Sequence, residues 1–161
     1  PTGRLVLDFL NGRMVGYVDT ALNVVDVDDV AAGQLLAAER GELGRSYILG
    51  GENLELRSIL SLLGERTGLK APVRPVPRGV VLGAAWVSEF LEGRVLRRTP
   101  TVPLDGARMA MTRMVFSDER ARRELGYTSR PAADALERSA RWFVDHGYVS
   151  ARRRPLVEFS S

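Results

Sequence analysis

The sharpest hydrophobic pattern in the chain is Leu56, Ile59, Leu60 and Leu63. Spacing of i, i+3, i+4 and i+7 puts four side chains on one helix face, and Gly68 can close that helix. A similar stripe, Leu5, Val6, Phe9 and Leu10, predicts a first helix with Thr2 as its cap and Gly12 as its end. Residues 14–18 and 23–27 read as short strands separated by a turn at 19–22, a pair able to form a hairpin. Asp28 or Asp29 then caps a helix that runs through Glu39, with Val30, Leu35 and Ala38 on its inner face. Residues 46–49 form a short apolar strand that ends at Gly50-Gly51.

Further along, prolines at 72, 75 and 77 confine residues 72–77 to an edge strand or an extended segment. Residues 79–91 predict a helix that is apolar around most of its circumference. A basic, proline-bounded loop follows at 97–103, then a helix near 104–111 and a short strand at 114–116. Ser117 caps a helix over 118–125, which Gly126 stops. Pro131 suits the first turn of a last helix, with Ala133, Leu136, Ala140 and Phe143 along one face. Periodicity ends near Gly147, so 1–147 reads as the folded portion and 148–161 as a tail. Short strands alternate with helices, which makes the class mixed α/β.

Composition narrows the function. At 161 residues, 45% hydrophobic and 27% charged, the chain is long and apolar enough to bury a core. It has no cysteine and one histidine, His146, which excludes disulfides, thiolate metal sites and multi-histidine metal sites. The lack of cysteine fits a reducing, cytoplasmic setting. No apolar run reaches the roughly 18 residues of a membrane span. The formal charge is only +3, and all the basic residues except Lys70 are arginines spread along the chain. That distribution argues against a nucleic-acid face, which needs clustered charge.

Three segments carry a family resemblance. The run Asn23-Val24-Val25-Asp26-Val27-Asp28-Asp29-Val30-Ala31-Ala32-Gly33 is similar to the strand-to-helix segment of extended short-chain dehydrogenases/reductases. Tyr47-Ile48-Leu49-Gly50-Gly51-Glu52-Asn53 resembles their late core strand and glycine turn. Phe116-Ser117 through Ala121, then Glu124-Leu125-Gly126-Tyr127, Arg130-Pro131 and Trp142-Phe143, resembles their closing unit. Order and spacing agree over about residues 2–147. Asp8-Phe9-Leu10-Asn11-Gly12-Arg13-Met14, followed by Tyr17-Val18-Asp19-Thr20, resembles the branch of hopanoid-associated sugar epimerases, neighbours of the dihydroflavonol reductases.

The resemblance implies the C-terminal, substrate-side part of an extended Rossmann-type fold, from an oxidoreductase that uses NAD or NADP. It also implies that residues 46–49 return as a strand to the cofactor-binding sheet. The family's two signature features are not in this sequence. The glycine-rich turn that lets backbone approach a pyrophosphate needs glycines at three-residue spacing. Gly41 and Gly44 are followed at the next step by Tyr47, and Gly50-Gly51 lacks a third glycine. The proton-transfer pair is a tyrosine with a lysine four residues on. The residues at that offset from Tyr17, Tyr47, Tyr127 and Tyr148 are Ala21, Gly51, Pro131 and Arg152. The expectation is therefore a chain that binds no nicotinamide cofactor and has no catalytic residue of its own. Its partner would be a Rossmann half that supplies both, with a homodimer also open.

By the same resemblance, Phe9, Tyr17, Asn23 and Val25 fall where the family builds its substrate-pocket wall, although residues such as Phe9 and Val25 more often belong to a plain core. Arg108 or Arg113 could hold a substrate anion. Sugar-nucleotide epimerases carry an arginine before the matching strand, and Leu22 stands there instead. Asp26 replaces the usual histidine. Both departures favour a substrate without a nucleotide, either a sugar or a reducible carbonyl compound. Asp28-Asp29 fits a helix cap, His146 a surface position, and Arg152-Arg153-Arg154 a solvated tail. Trp86, Phe90 and Leu91 would make a patch that packs on the other half or on a second copy. The competing reading is a stand-alone, non-catalytic ligand-binding or interaction module derived from this family.

Overall fold

The computed structural model describes residues 2–14, 16–72, 74–77, 79–80, 83 and 112–159. The predicted helices over 79–91 and 104–111 and the loop over 97–103 fall wholly or largely outside them, as do Trp86, Phe90, Leu91 and Arg108. The described elements are α1 (Thr2–Leu10), β1 (Ala21–Val24), α2 (Val27–Arg40), β2 (Glu52–Glu55), α3 (Leu56–Thr67), α4 (Glu119–Leu125) and α5 (Ala132–Asp145). A single 3-10 turn, Arg154–Leu156, follows. The mixed α/β class stands, with helices dominating. No described helix is long and apolar enough to cross a membrane.

The core forms where the sharpest sequence stripes meet. Ile59, Leu60 and Leu63 of α3 pack with Val6, Phe9 and Leu10 of α1 and with Leu136 and Ala140 of α5. Gly68, at φ 68°, closes α3 in the left-handed conformation that its sequence position predicts. On α5 the buried residues are Ala132, Ala135, Leu136 and Ala140, so the inner face begins one residue earlier than the spacing suggested.

The sheet differs from the predicted hairpin. β1 is shorter than residues 23–27 and pairs antiparallel with β2, in the register Ala21↔Glu55 through Val24↔Glu52. Its other edge meets Met114, which bridges Leu22 in parallel and donates its N–H to the Ala21 carbonyl at 2.8 Å. With both edges taken, β1 has no room for residues 14–18. Tyr17 bridges Pro75 instead, bonding through Arg74 O and Val76 N. Two asparagines lock this arrangement with amides that imitate backbone. Asn23 donates to Gly51 O at 3.1 Å and accepts from Gly51 N at 2.9 Å. Asn53 does the same to Phe116, at 2.8 Å and 3.1 Å.

Other expectations shift by local chemistry. Asp26, not Asp28 or Asp29, caps α2, accepting from the Asp28 N–H at 2.9 Å. α2 buries Asp29 and Gly33 and leans Leu36 and Ala37 inward, whereas Leu35 and Ala38 face out. The helix has turned to let Gly33 meet Leu49 and Tyr127, because a Cβ at Gly33 would lie 2.7 Å from Leu49 Cδ2 and 2.9 Å from the Tyr127 ring. Ser117 sits one position ahead of the cap of α4, Asp118, and accepts only a long bond from Glu119 N at 3.4 Å. Residues 149–159, expected to trail as a tail, run back over the core. Val149 is buried, Glu158 N donates to Thr67 O, and Arg153 donates to Leu10 O. Phe159 lies under the Arg141 guanidinium, 4.2 Å from its carbon to the ring centre.

Candidate substrate groove

A groove of about 390 Å³ opens where β1 leads into α2, between α1 and α5. Val6, Val24, Val25, Leu136, Trp142 and Phe143 supply its apolar walls. Trp142 and Phe143 meet edge to face, with ring centres 5.3 Å apart, and the exposed side of Trp142 stacks on His146 at 4.2 Å. Their spacing on α5 follows from helix geometry. Leu136 and Ala140 point to the core, so Trp142 and Ser139 are left on the flank that faces β1.

The groove's polar rim is an ion-pair network. Arg130 grips both carboxylate oxygens of Asp29 through Nε and Nη2, with its shortest bond at 2.7 Å, and its backbone N–H adds a further bond at 2.8 Å. Arg130 also approaches Asp26 at 3.5 Å, and Arg138 approaches Asp26 at 3.6 Å while pairing with Asp28. The Arg130 side-chain hydrogen bond is the main force holding the Asp29 carboxyl below its ordinary range, against the opposing effect of burial. The same bond, with Asp29, raises the Arg130 guanidinium. All three carboxylates also lie at the N-terminus of α2, where the helix dipole favours negative charge.

Tyr127 illustrates how this chain uses a buried phenol. Burial is the main cause that pushes its ionisation up, and the Asp29 carboxylate adds to it. The phenol stays protonated and donates to Gly50 O at 2.9 Å. It is a structural clamp between α4 and the Gly50-Gly51 turn. That turn is itself closed by its own chain. A Cβ at Gly51 would sit 2.1 Å from Val24 O, and one at Gly50 would sit 3.1 Å from the Asn23 side chain. The two glycines allow strand contact and leave no open cradle for a pyrophosphate. Among the described residues, no group of three or more His, Cys, Asp or Glu is placed to hold a metal.

Of the six candidate substrate-binding residues, the five that are described are not gathered in one place. Asn23 and Val25 both line the groove, although the Asn23 amide is committed to Gly51 and to Asn53. Phe9 is taken up by the core and is 3% exposed. Tyr17 packs half-buried against that core and bonds through its backbone to the 74–76 segment. Arg113 is exposed, and Arg108 is outside the described residues. Sequence reasoning missed Arg138, whose partner Asp28 is 110 residues away. It noticed Arg130 and Trp142 only as motif letters.

No family model matches the chain. It is 44% identical over 156 residues to a putative dihydroflavonol 4-reductase of Synechocystis, with 94% of this chain and 45% of that protein covered. It is 34% identical over 148 residues to sterol demethylase protein B of Methylococcus capsulatus, with 91% and 45% covered. Among solved structures it resembles a nucleoside-diphosphate-sugar epimerase from Pseudomonas aeruginosa, with a TM-score of 0.73 and 31% identity over 93% of this chain and 44% of that one. The chain thus spans a little under half the length of these relatives. Their agreement in sequence and fold places it in the extended short-chain dehydrogenase/reductase family, as the counterpart of the C-terminal part of its dihydroflavonol reductase-like and sugar-epimerase members.

Proposed function

We propose that this chain is the substrate-binding half of an NAD(P)-dependent epimerase or reductase, inactive until a Rossmann half joins it. The supporting observation is residues 46–49. Tyr47 and Leu49 turn onto α2 and α4 while Ser46 and Ile48 turn out, and no described residue pairs with them as a ladder, the Ser46 carbonyl accepting only from the Arg120 side chain at 3.3 Å. Alternating exposure is the signature of a sheet strand. A strand with an unsatisfied backbone edge needs a sheet to join. The adjoining face of α2 is apolar and open, with Val27 76% and Leu35 67% exposed. A cofactor-binding sheet laid along this edge would cover both. In that assembly the nicotinamide supplies hydride chemistry from the other half. This chain contributes the substrate groove, beside a carbonyl compound or sugar whose proton is moved by the other half's tyrosine.

The test is to co-express this chain with the N-terminal half of the Synechocystis relative and to titrate NADH and NADPH by fluorescence. The expected result is no binding by the chain alone, and micromolar binding by a stable 1:1 complex. Leu35→Asp should prevent the complex while leaving the melting of the chain alone unchanged. A chain that forms no complex, or that binds cofactor by itself, overturns the reading.

A further inference from the structure

We infer that the groove between α1, α5 and the β1–α2 junction binds an uncharged, predominantly apolar ligand body and not a nucleotide diphosphate. Naming that ligand as a substrate rests on the proposed function above, whereas the binding itself does not. Two features of the site carry the inference. The first is its walls. Val6, Val24, Val25, Leu136 and the edge-to-face pair Trp142–Phe143 give a surface that holds flat or branched hydrocarbon. Its volume of about 390 Å³ falls within the range of small-ligand sites.

The second feature is the state of its charges. A diphosphate needs cations that are free to meet it, usually arginines in a bidentate approach. Among the described lining residues the only cation is Arg138, which is already paired with Asp28 and lies 3.6 Å from Asp26. The nearby Arg130 is consumed by Asp29. Among the described residues of the rim, three carboxylates face two guanidiniums, so these groups leave no surplus positive charge, and a phosphate would meet Asp26 and Asp28. A neutral ligand meets no such penalty. Ser139 and the rim can satisfy a single hydroxyl or carbonyl, which orients a ligand that is otherwise apolar.

The experiment reads Trp142. In a Trp86→Phe background it is the only tryptophan, so its emission reports the groove. Flavanone and farnesol serve as neutral probes and UDP-glucose as the charged one. The chain is titrated alone and again in complex with the N-terminal half. Saturable, micromolar changes are expected with at least one neutral probe in both forms, and none with UDP-glucose. Ser139→Phe and Gly3→Val each fill the groove, from α5 and α1, and each should weaken neutral binding at least tenfold. The Gly3 change is the safer variant, because a Cβ there meets only Phe143 Cζ, at 3.6 Å. The inference is overturned if UDP-glucose binds as well as the neutral probes, or if no neutral probe binds. It is also overturned if Gly3→Val binds unchanged, or if the other half abolishes neutral binding, which would mean that polypeptide fills the groove. Failure of cofactor binding in the complex would instead count against the proposed function alone.

Discussion

The layer built by α1, α3 and α5 and the layer built by α2, α4 and residues 46–49 are held together by different means. The first has a filled core. Leu10, Ile59 and Leu63 are fully buried, and Val149 and Val157 of the closing segment pack against it, although Trp142 on the groove side stays half exposed. The second has one buried face, a small cluster of Ala121, Leu125 and Tyr127 with Leu36, Ala37, Tyr47 and Leu49 leaning on it. Its other face shows Val27, Leu35 and Ile48 to solvent. Apolar area left in water contributes nothing to folding, at about 25 cal/mol for each Å² left unburied. The contrast separates a filled core from the face that the proposed Rossmann half would cover.

The largest expected effect probes the filled layer. Leu60 is 1% exposed and belongs to the main core cluster, and Leu60→Ala should cost about 2–5 kcal/mol, the transfer loss plus the cavity left behind. Urea unfolding at pH 7 measures it. A loss under about 1 kcal/mol would mean that this layer is as loose as the other, and the contrast would fail.

Gly33→Ala asks how tight the one buried face of the open layer is. In a helix the change normally gains up to about 1 kcal/mol. Here the new methyl would meet the Tyr127 ring at 2.9 Å, and that ring is 1% exposed and cannot swing away. Overpacking should reverse the sign, to a net loss of about 1–3 kcal/mol. A gain in thermal midpoint would show that α2 rides loosely on Tyr127.

Legibility in the sequence follows the same division. The α3 stripe and its Gly68 stop, the α1 stripe and the Gly126 stop could be read because helix periodicity and left-handed glycines are local signals. The α2 stripe misled, since Val30, Leu35 and Ala38 look like an inner face. They are apolar in sequence, but on this chain the inward positions are held by an aspartate and a glycine. The β1–β2 pairing was hidden because Glu52–Glu55 is too polar to read as a strand, and because its register depends on two asparagine amides imitating backbone. The groove was half visible. Asn23 and Val25 stood out through the family resemblance, whereas Arg138 depends on a contact that no local pattern encodes. Residues 149–159 carry no periodicity, yet Val149 and Val157 still find the core.

The ion-pair rim joins the two layers, since Arg130 and Arg138 belong to α5 and its approach while their partners belong to α2. Asp29→Asn keeps the shape and removes the charge, and it should cost about 1–2 kcal/mol at pH 7 by weakening charge-assisted bonds. The pH dependence has a fixed sign. The folded carboxyl titrates below its ordinary value of 3.8, so its contribution is fully present well above that value and is lost as pH falls through the lower, folded one. The difference between parent and Asp29→Asn should therefore be flat from pH 8 to about 5 and shrink toward zero as the pH drops below about 4. Thermal melts across that range read it directly. A difference that persists unchanged at pH 3 would assign the loss to packing around Asp29, and the layers would then be joined by shape and not by charge.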